Sequence, residues 1–263
     1  MANLTESEAA QRFAATSVKF DELSTGQFAV IPEGFKIESL ETFQDTPNRI
    51  IADHRFVTVN SLAEYVNSFG GDNTMICANY EGAKILVTID GDNAADGSAS
   101  HKSHKARFEA QVHDITKAWL AICSRPMAQS VFGQFLEDRA QDVIKPEAAS
   151  VMEMVMTFDA TKKVTFKSAQ RLHDGQRQLV YVEENEAKGA VTFPDHFMIL
   201  APIYRGMEPQ QIKFLVRYRI DDGKLHFSVE MHDRERMLRE AFDRCVDALK
   251  TAVSLEAPVY ITG

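Results

Sequence analysis

The segment from Asp90 to His104 holds the densest group of residues that could do chemistry, and it is rich in aspartate, serine and glycine. Its carboxylates and imidazoles belong to Asp90, Asp92, Asp96, His101 and His104. Such groups bind transition metals, so one hypothesis is a metal-dependent enzyme centred on this segment. The segment lacks a helical HExxH pattern and the spacing of a calcium-binding loop. We therefore expect a solvated loop that binds no metal.

Other catalytic patterns are weak. Three acid–histidine pairs are adjacent in sequence, at Asp53-His54, Asp195-His196 and His232-Asp233. Neighbouring residues on a strand point to opposite faces, so this adjacency does not make a catalytic dyad. The chain has no nucleophile elbow, phosphate-binding loop or dinucleotide fingerprint. These patterns predict no catalytic residue and no cofactor, and they favour a protein that is not an enzyme.

Basic residues recur at alternate positions in the C-terminal third. Arg217 and Arg219 fall on one side of a predicted strand, and His226 falls on the matching side of the next strand. Lys167 and Arg171 share one side of an earlier strand. If the two faces are coplanar, they form a basic surface that could bind an anionic partner, nucleic acid included. The alternative is a solvated sheet face whose arginines pair with Glu230 and other acids.

The elements that position these residues are clearest around Asp222-Gly223. Asp-Gly between two alternating apolar runs is a strong hairpin signal. A two-residue loop there pairs apolar residues across the strands, with Tyr218 opposite Phe227 and Ile220 opposite Leu225. A helix follows, with Asp233 as its predicted cap and an apolar stripe of Leu238, Ala241, Phe242, Cys245, Val246 and Leu249.

Further elements follow from turn and cap signals. Asn60 or Ser61 is expected to cap a helix that ends at Gly70-Gly71, and Asp114 to cap another. Hairpins are predicted over residues 74–90 and around Asp174-Gly175. The fold class is therefore α+β, with antiparallel β-meander hairpins, helices packed on one face and a long C-terminal helix. The chain divides into regions 1–160 and 161–263, or forms one continuous domain.

Composition fits a globular protein. The chain has 263 residues, 44% of them hydrophobic, and a net charge of -9. That charge argues against a surface that is basic throughout, but it allows a local basic patch. The three cysteines, Cys77, Cys123 and Cys245, form no CxxC pair, so we expect reduced thiols in a cytoplasmic protein. No secretory signal and no membrane-spanning segment are expected.

Several passages, in this order, carry a resemblance to a known family: VIPEGFKIESLE, SLAEYVNSF, QSVFGQFLEDRAQDVIKPEA, FKSAQRL, FPDHFMILAPIY, FLVRYRIDDGKLHFSVEM and AFDRCVDALKTAV. From about residue 28 to the end, the chain resembles the YfdQ-like family of phage and prophage proteins, a domain of unknown function. Members tend to carry a histidine after the aspartate that closes the first hairpin. Here Gly91 follows Asp90, and His104 is the best match. The resemblance implies a phage or prophage origin and a location in the host cytoplasm.

Three functions remain open at this point. The first is a non-enzymatic phage accessory protein that acts by binding and by self-association as a homo-oligomer, with a phage or host protein as partner. The second is a nucleic-acid-associated factor that uses the basic sheet face at Lys167, Arg171, Arg217, Arg219 and His226. The third is the metal-dependent enzyme centred on residues 90–104. None of the three involves a membrane.

Overall fold

The computed structural model describes residues 44–160, 165–171, 176–182, 188–222, 224–255 and 257–262. Within these ranges, the side chains of residues 158–160, 165–171, 181–182 and 188–191 are not described. Residues Ile50–Gly263 form one compact unit. In the described part of this unit, no helix has both the length and the apolar character needed to cross a membrane.

The strands, numbered in chain order, are β1 (Ala52–Phe56), β2 (Met75–Asn79), β3 (Lys84–Thr88), β4 (His104–Glu109), β5 (Met127–Ala128), β6 (Val143–Lys145), β7 (Thr165–Arg171), β8 (Arg177–Val182), β9 (Lys188–Phe193), β10 (His196–Ala201), β11 (Gln210–Asp221), β12 (Lys224–Met231) and β13 (Val259–Thr262). The helices are α1 (Val59–Phe69), α2 (Asp114–Ala121), α3 (Gln129–Asp138), α4 (Ala148–Ala160) and α5 (Arg234–Ala252), with a 3-10 turn at Ala140–Asp142. The predicted α+β fold class, with mostly antiparallel strands, is confirmed.

The first sheet has the strand order β1-β4-β3-β2-β13. Strands β2 and β3 form the hairpin predicted over residues 74–90, with Cys77 opposite Leu86. Both edge strands pair in parallel, β1 with β4 and β13 with β2. Parallel partners need a long connection, so their pairing leaves no local signal. The sequence pattern predicted antiparallel hairpins alone and missed these two edges.

Helices α1 and α5 lie together beside the first sheet. Asn67 of α1 donates a hydrogen bond to the carbonyl of Ala252 (2.9 Å) and accepts one from the amide of Ser254 (2.8 Å). The Tyr80 ring, which follows β2, packs edge-on against Phe242 of α5 at 5.1 Å. Of the predicted apolar stripe, Leu238 is half-buried and the rest is buried, namely Ala241, Phe242, Cys245, Val246 and Leu249.

The second sheet has the strand order β5-β12-β11-β10-β6. Its central hairpin has the predicted register, with Tyr218 opposite Phe227 and Ile220 opposite Leu225. Asp222 has a φ of 53°, in the left-handed region that a tight two-residue turn uses. Its partner in that turn, Gly223, lies outside the described residues. One face of this sheet packs on an aromatic core, in which Trp119 of α2 lies 5.2 Å from Phe214.

The third sheet has the strand order β7-β8-β9 and shares no strand with the second sheet. The hairpin predicted around Asp174-Gly175 falls partly outside the described residues, although β7 and β8 pair as antiparallel strands on either side of it. The proposed division near residue 160 stays a prediction. The second sheet takes β5 and β6 from before residue 160 and β10, β11 and β12 from after it.

Three helix caps differ from the prediction. Thr58, rather than Asn60 or Ser61, caps α1, and its side chain accepts a hydrogen bond from the amide of Ser61. His113, rather than Asp114, caps α2 through the amide of Ile115. Asp233 precedes α5 as predicted, but its side chain makes no capping hydrogen bond. Asp233 instead bonds Arg236, because its left-handed backbone (φ 49°) differs from the extended conformation of a capping residue.

Candidate functional site

The second sheet has a face that points away from the aromatic core, which we call the open face. Residues alternate between two sides along a strand, and the buried Ile212, Phe214 and Val216 mark the core side of β11. The open face consists of Lys145, His196, Met198, Leu200, Gln211, Lys213, Leu215, Arg217, Arg219, Asp221, Lys224, His226, Ser228 and Glu230. The sequence-predicted Arg217, Arg219 and His226 therefore do lie on one surface.

Positive charge predominates on the open face. It carries five cationic side chains, Lys145, Lys213, Arg217, Arg219 and Lys224, against the carboxylates of Asp221 and Glu230. The whole chain has a net charge of -9, so the charge of this surface is opposite in sign to that of the protein. A local excess of one sign attracts ligands of the opposite sign.

Both arginines of the open face hold a carboxylate. Arg217 donates from Nε to Glu230 at 3.3 Å, and Arg219 donates to Asp221 at 3.2 Å. The predicted alternative, pairing of the arginines with Glu230 and other acids, therefore occurs in this sheet. The arginine side chains are 54% and 75% exposed, and exposed ion pairs contribute only about 0.2–1 kcal/mol each. An incoming anion can therefore replace these carboxylates at low cost.

The lysines of the open face are not neutralised in this way. Lys145, Lys213 and Lys224 form no ion pair with any other residue that the structure describes. His226 lies opposite Arg219 in the register and is half-buried. His196, at the start of β10, is held by the carboxylate of Asp195. The open face thus combines two forked guanidinium groups with three ammonium groups.

Lys167 and Arg171, the other predicted binding residues, belong to β7 in the third sheet. Their side chains lie outside the described part of the protein. Lys167 and Arg171 therefore do not share a sheet with Arg217 and Arg219, and their part in a common basic surface stays a prediction. Sequence alternation shows which residues share a strand face, but it does not show which strands share a sheet.

The carboxylates of the 90–104 loop are bound to the loop itself. Asp90 accepts hydrogen bonds from the amide and hydroxyl of Ser103 (2.8 and 2.9 Å) and from the amide of His104 (2.8 Å). Asp92 accepts from the amide of Ser100, and Asp96 from the amide of Ser98. Burial raises the pKa of Asp90, but these hydrogen bonds outweigh burial, so its pKa lies below the ordinary value.

His104 and His101 have different environments. His104 is 4% exposed, and its Nε2 lies 2.7 Å from the hydroxyl of Tyr65 on α1, whereas His101 is exposed on the loop. Burial lowers the pKa of His104, with Asp90 opposing this shift and His54 adding to it. Among the described residues, no three His, Cys, Asp or Glu side chains converge as metal ligands would. The role of His104 that the contacts support is to anchor the end of the loop.

Sequence reasoning missed Tyr65 as a partner of His104. The two residues are 39 positions apart in the chain, so no local pattern links them. A tyrosine on an apolar stripe is a usable signal, because a buried hydroxyl needs a hydrogen-bond partner. The three cysteines are free thiols, with Cys245 buried and Cys77 and Cys123 half-buried.

Comparison with known proteins identifies the family. The sequence profile of a family described as an uncharacterized conserved protein, DUF2303, matches residues 2–262, so the chain belongs to this family. No curated protein and no solved structure matches the chain.

Proposed function

We propose that this DUF2303 protein is a non-enzymatic phage or prophage accessory protein of the host cytoplasm, and that its open face binds single-stranded nucleic acid. The resemblance to the YfdQ-like family supports the phage origin. One observation carries the binding proposal: a sheet face with five cations and two carboxylates in a protein of net charge -9. Such a face suits an extended polyanion.

The arginine geometry supports a phosphate backbone as the bound group. Arg217 and Arg219 occupy alternate positions of one strand, so their backbones are about 7 Å apart on the same side. Guanidinium groups bind phosphate through two parallel hydrogen bonds, and they keep their charge at any physiological pH. The neighbouring lysines extend the positive surface to β6 and to the turn end of β12.

The binding test uses fluorescence anisotropy with a labelled single strand of about 20 nucleotides at fixed, low salt. We expect the double variant R217Q/R219Q to bind at least about tenfold more weakly than the natural protein. The matched control is R236Q/K250Q, which removes the same charge from α5, where both side chains are exposed. Equal affinity of R217Q/R219Q and the natural protein would contradict the proposal.

Self-association is a second function that a specific observation favours. Strand β13 has the sequence VYIT, without charge or proline, and within the described part of the chain no strand pairs with its outer edge. Tyr260 is 47% and Ile261 is 74% exposed, on opposite sides of this strand. Natural edge strands usually carry charge or proline to prevent pairing. The β13 edge therefore suits pairing with the same edge of a second copy, in a symmetric dimer.

The oligomer test measures molar mass by light scattering over a range of protein concentrations. We expect a dimer for the natural protein and a monomer for I261K, because a lysine on the edge strand blocks pairing. The control is V131K, which places the same charge on the exposed Val131 of α3 (54% exposed). A natural protein that stays monomeric at all concentrations would refute the dimer.

The enzyme hypothesis centred on residues 90–104 is the least favoured. Asp90, Asp92 and Asp96 already accept hydrogen bonds from the loop, and the Nε2 of His104 is held by Tyr65. A metal that used the Nε2 of His104 would first have to displace the Tyr65 hydroxyl.

A further inference from the structure

A small cavity with two arginines lies apart from the open face. Its volume is about 270 Å³, and it is lined by Thr58, Val59, Asn60, Arg205, Gly206, Met207, Glu208, Arg244, Cys245 and Ala248. The walls come from the start of α1, the connection between β10 and β11, and the middle of α5. We call it the Arg205–Arg244 cavity. None of its lining residues belongs to the open face.

Arg205 and Arg244 line the cavity from different elements, and their guanidinium groups have different partners. Arg244 donates from a terminal nitrogen to the side-chain oxygen of Gln210 at 2.6 Å. Gln210 is neutral, and Arg244 forms no ion pair with another residue in the described ranges. Arg205 donates to Asp114 at 2.9 Å, and both side chains are exposed, at 45% and 73%. Each arginine has five N–H donors, so most of their donors remain for a ligand.

The remaining polar groups of the cavity are consistent with a small anion. Asn60 offers side-chain amide donors, whereas the hydroxyl of Thr58 is already bonded to Ser61. Glu208 is the acidic residue of the lining, and it is exposed, so its flexible side chain can point to solvent. Pockets for drug-sized ligands usually have volumes of about 300 Å³ or more, and this cavity is slightly smaller. The cavity is therefore large enough for a phosphate group and too small for a large ligand.

We propose that the Arg205–Arg244 cavity binds a phosphate group, either as inorganic phosphate or as the phosphate of a small monoester. The two forked guanidinium groups hold the phosphate oxygens through charge-assisted hydrogen bonds. Asn60, which lines the cavity at the start of α1, adds a neutral amide donor. This site goes beyond the binding function of the open face, since it takes a compact anion rather than an extended strand.

The test titrates the full-length protein calorimetrically with inorganic phosphate, pyrophosphate and a nucleoside monophosphate, at constant ionic strength set by chloride. We expect saturable binding below about 10 mM for at least one of them. R244Q and R205Q should each weaken that binding about tenfold or more, because each removes a charge-assisted contact. The best-bound probe identifies the ligand as the free ion or the monoester.

Two control variants separate this result from loss of folding and from general charge effects. N60D places a carboxylate in the cavity and should weaken binding about tenfold without lowering the melting temperature, because an acid in the first turn of a helix is stabilising. R236Q removes a charge from α5 outside the cavity and should leave affinity unchanged. R217Q/R219Q should also leave the affinity for phosphate unchanged. The phosphate proposal can therefore hold even if the open face binds no nucleic acid. The proposal is refuted if no probe binds saturably, or if R244Q and R205Q bind as the natural protein does.

Discussion

Tyr65 and His104 show how single residues stabilise the long loop. The amide of His104 donates to Asp90, just after β3, and its ring contacts the Tyr65 hydroxyl on α1, so both contacts fix this end of the loop. The Tyr65 ring also packs at 4.7 Å from Phe69 and at 5.2 Å from His54. Burial in this cluster lowers the pKa of His104 and so favours the neutral imidazole in the folded protein.

The lowered pKa of His104 predicts a pH dependence of stability. In the unfolded chain a histidine titrates near its ordinary value of about 6.5, so below that pH the unfolded state binds more protons than the folded state. The free energy of unfolding should therefore fall as pH drops below about 6.5, until pH passes the lower folded pKa. Urea unfolding at several pH values measures this effect.

The matched variant for this prediction is H104Q, which cannot titrate in this range. We expect the decrease that begins near pH 6.5 to be much reduced in H104Q. Asp90 adds a second decrease at lower pH in both proteins, because its folded pKa is below the ordinary carboxyl value and its contribution is lost as pH falls through that folded pKa. Identical pH profiles of the two proteins above about pH 5 would show that His104 is not the titrating group.

Gly70 determines where helix α1 ends. Its amide donates to the carbonyl of Val66 at 2.7 Å, and its backbone is extended, with φ -72° and ψ 157°. A Cβ at Gly70 would collide with the carbonyl oxygen of Val66 and with the side chain of Leu255. At Gly71, a Cβ would have no atom within 4 Å. The structure therefore excludes a side chain at Gly70 but has room for one at Gly71.

The prediction is that G70A destabilises the protein and G71A does not. Overlap with a backbone carbonyl forces the chain to move, and overpacking of this kind costs about 1–3 kcal/mol. G71A should change the free energy of unfolding by less than about 0.5 kcal/mol. Chemical denaturation of both variants measures the difference. If both variants unfold at the same denaturant concentration, the described approach of Gly70 to Val66 is wrong.

The sequence predicted elements well where the determining signal is local. The register that pairs Tyr218 with Phe227 follows from a tight turn and from alternation, both of which lie within a few residues. The parallel pairing of Tyr260 with Cys77 could not be predicted, because the two residues lie far apart in the chain and no turn links them. The cap at Thr58 lies two or three residues before the predicted caps Asn60 and Ser61, because threonine, asparagine and serine all suit a capping position.

The candidate sites show the same contrast between local signals, which the sequence contains, and long-range contacts, which it does not reveal. That Arg217 and Arg219 share a face was predicted from alternation along one strand, and the structure places His226 beside them. The separation of Lys167 and Arg171 into another sheet was not predictable from strand patterns. The Arg205–Arg244 cavity was also not predictable, since three segments far apart in sequence form it.

At the scale of the whole molecule, the described unit presents surfaces of different chemistry. The open face of the second sheet is basic, and the β13 edge of the first sheet is apolar and uncharged. A protein that binds an extended anion on one surface and a second copy of itself through a strand edge would present two basic faces per dimer. When one basic face of the dimer binds a strand of nucleic acid, the second face is held close to the same strand. Its high effective concentration raises the overall affinity.

The most direct test of the proposed function is the salt dependence of single-strand binding, measured for the natural protein and for R217Q/R219Q. For single strands, the logarithm of the affinity falls with the logarithm of salt concentration by about 0.7 per phosphate contact. We predict that R217Q/R219Q has a shallower slope, by about 1.4, since two contacts are lost. The control R236Q/K250Q should keep the natural slope. An unchanged slope and affinity in R217Q/R219Q, with the fold intact, would show that the open face does not bind nucleic acid.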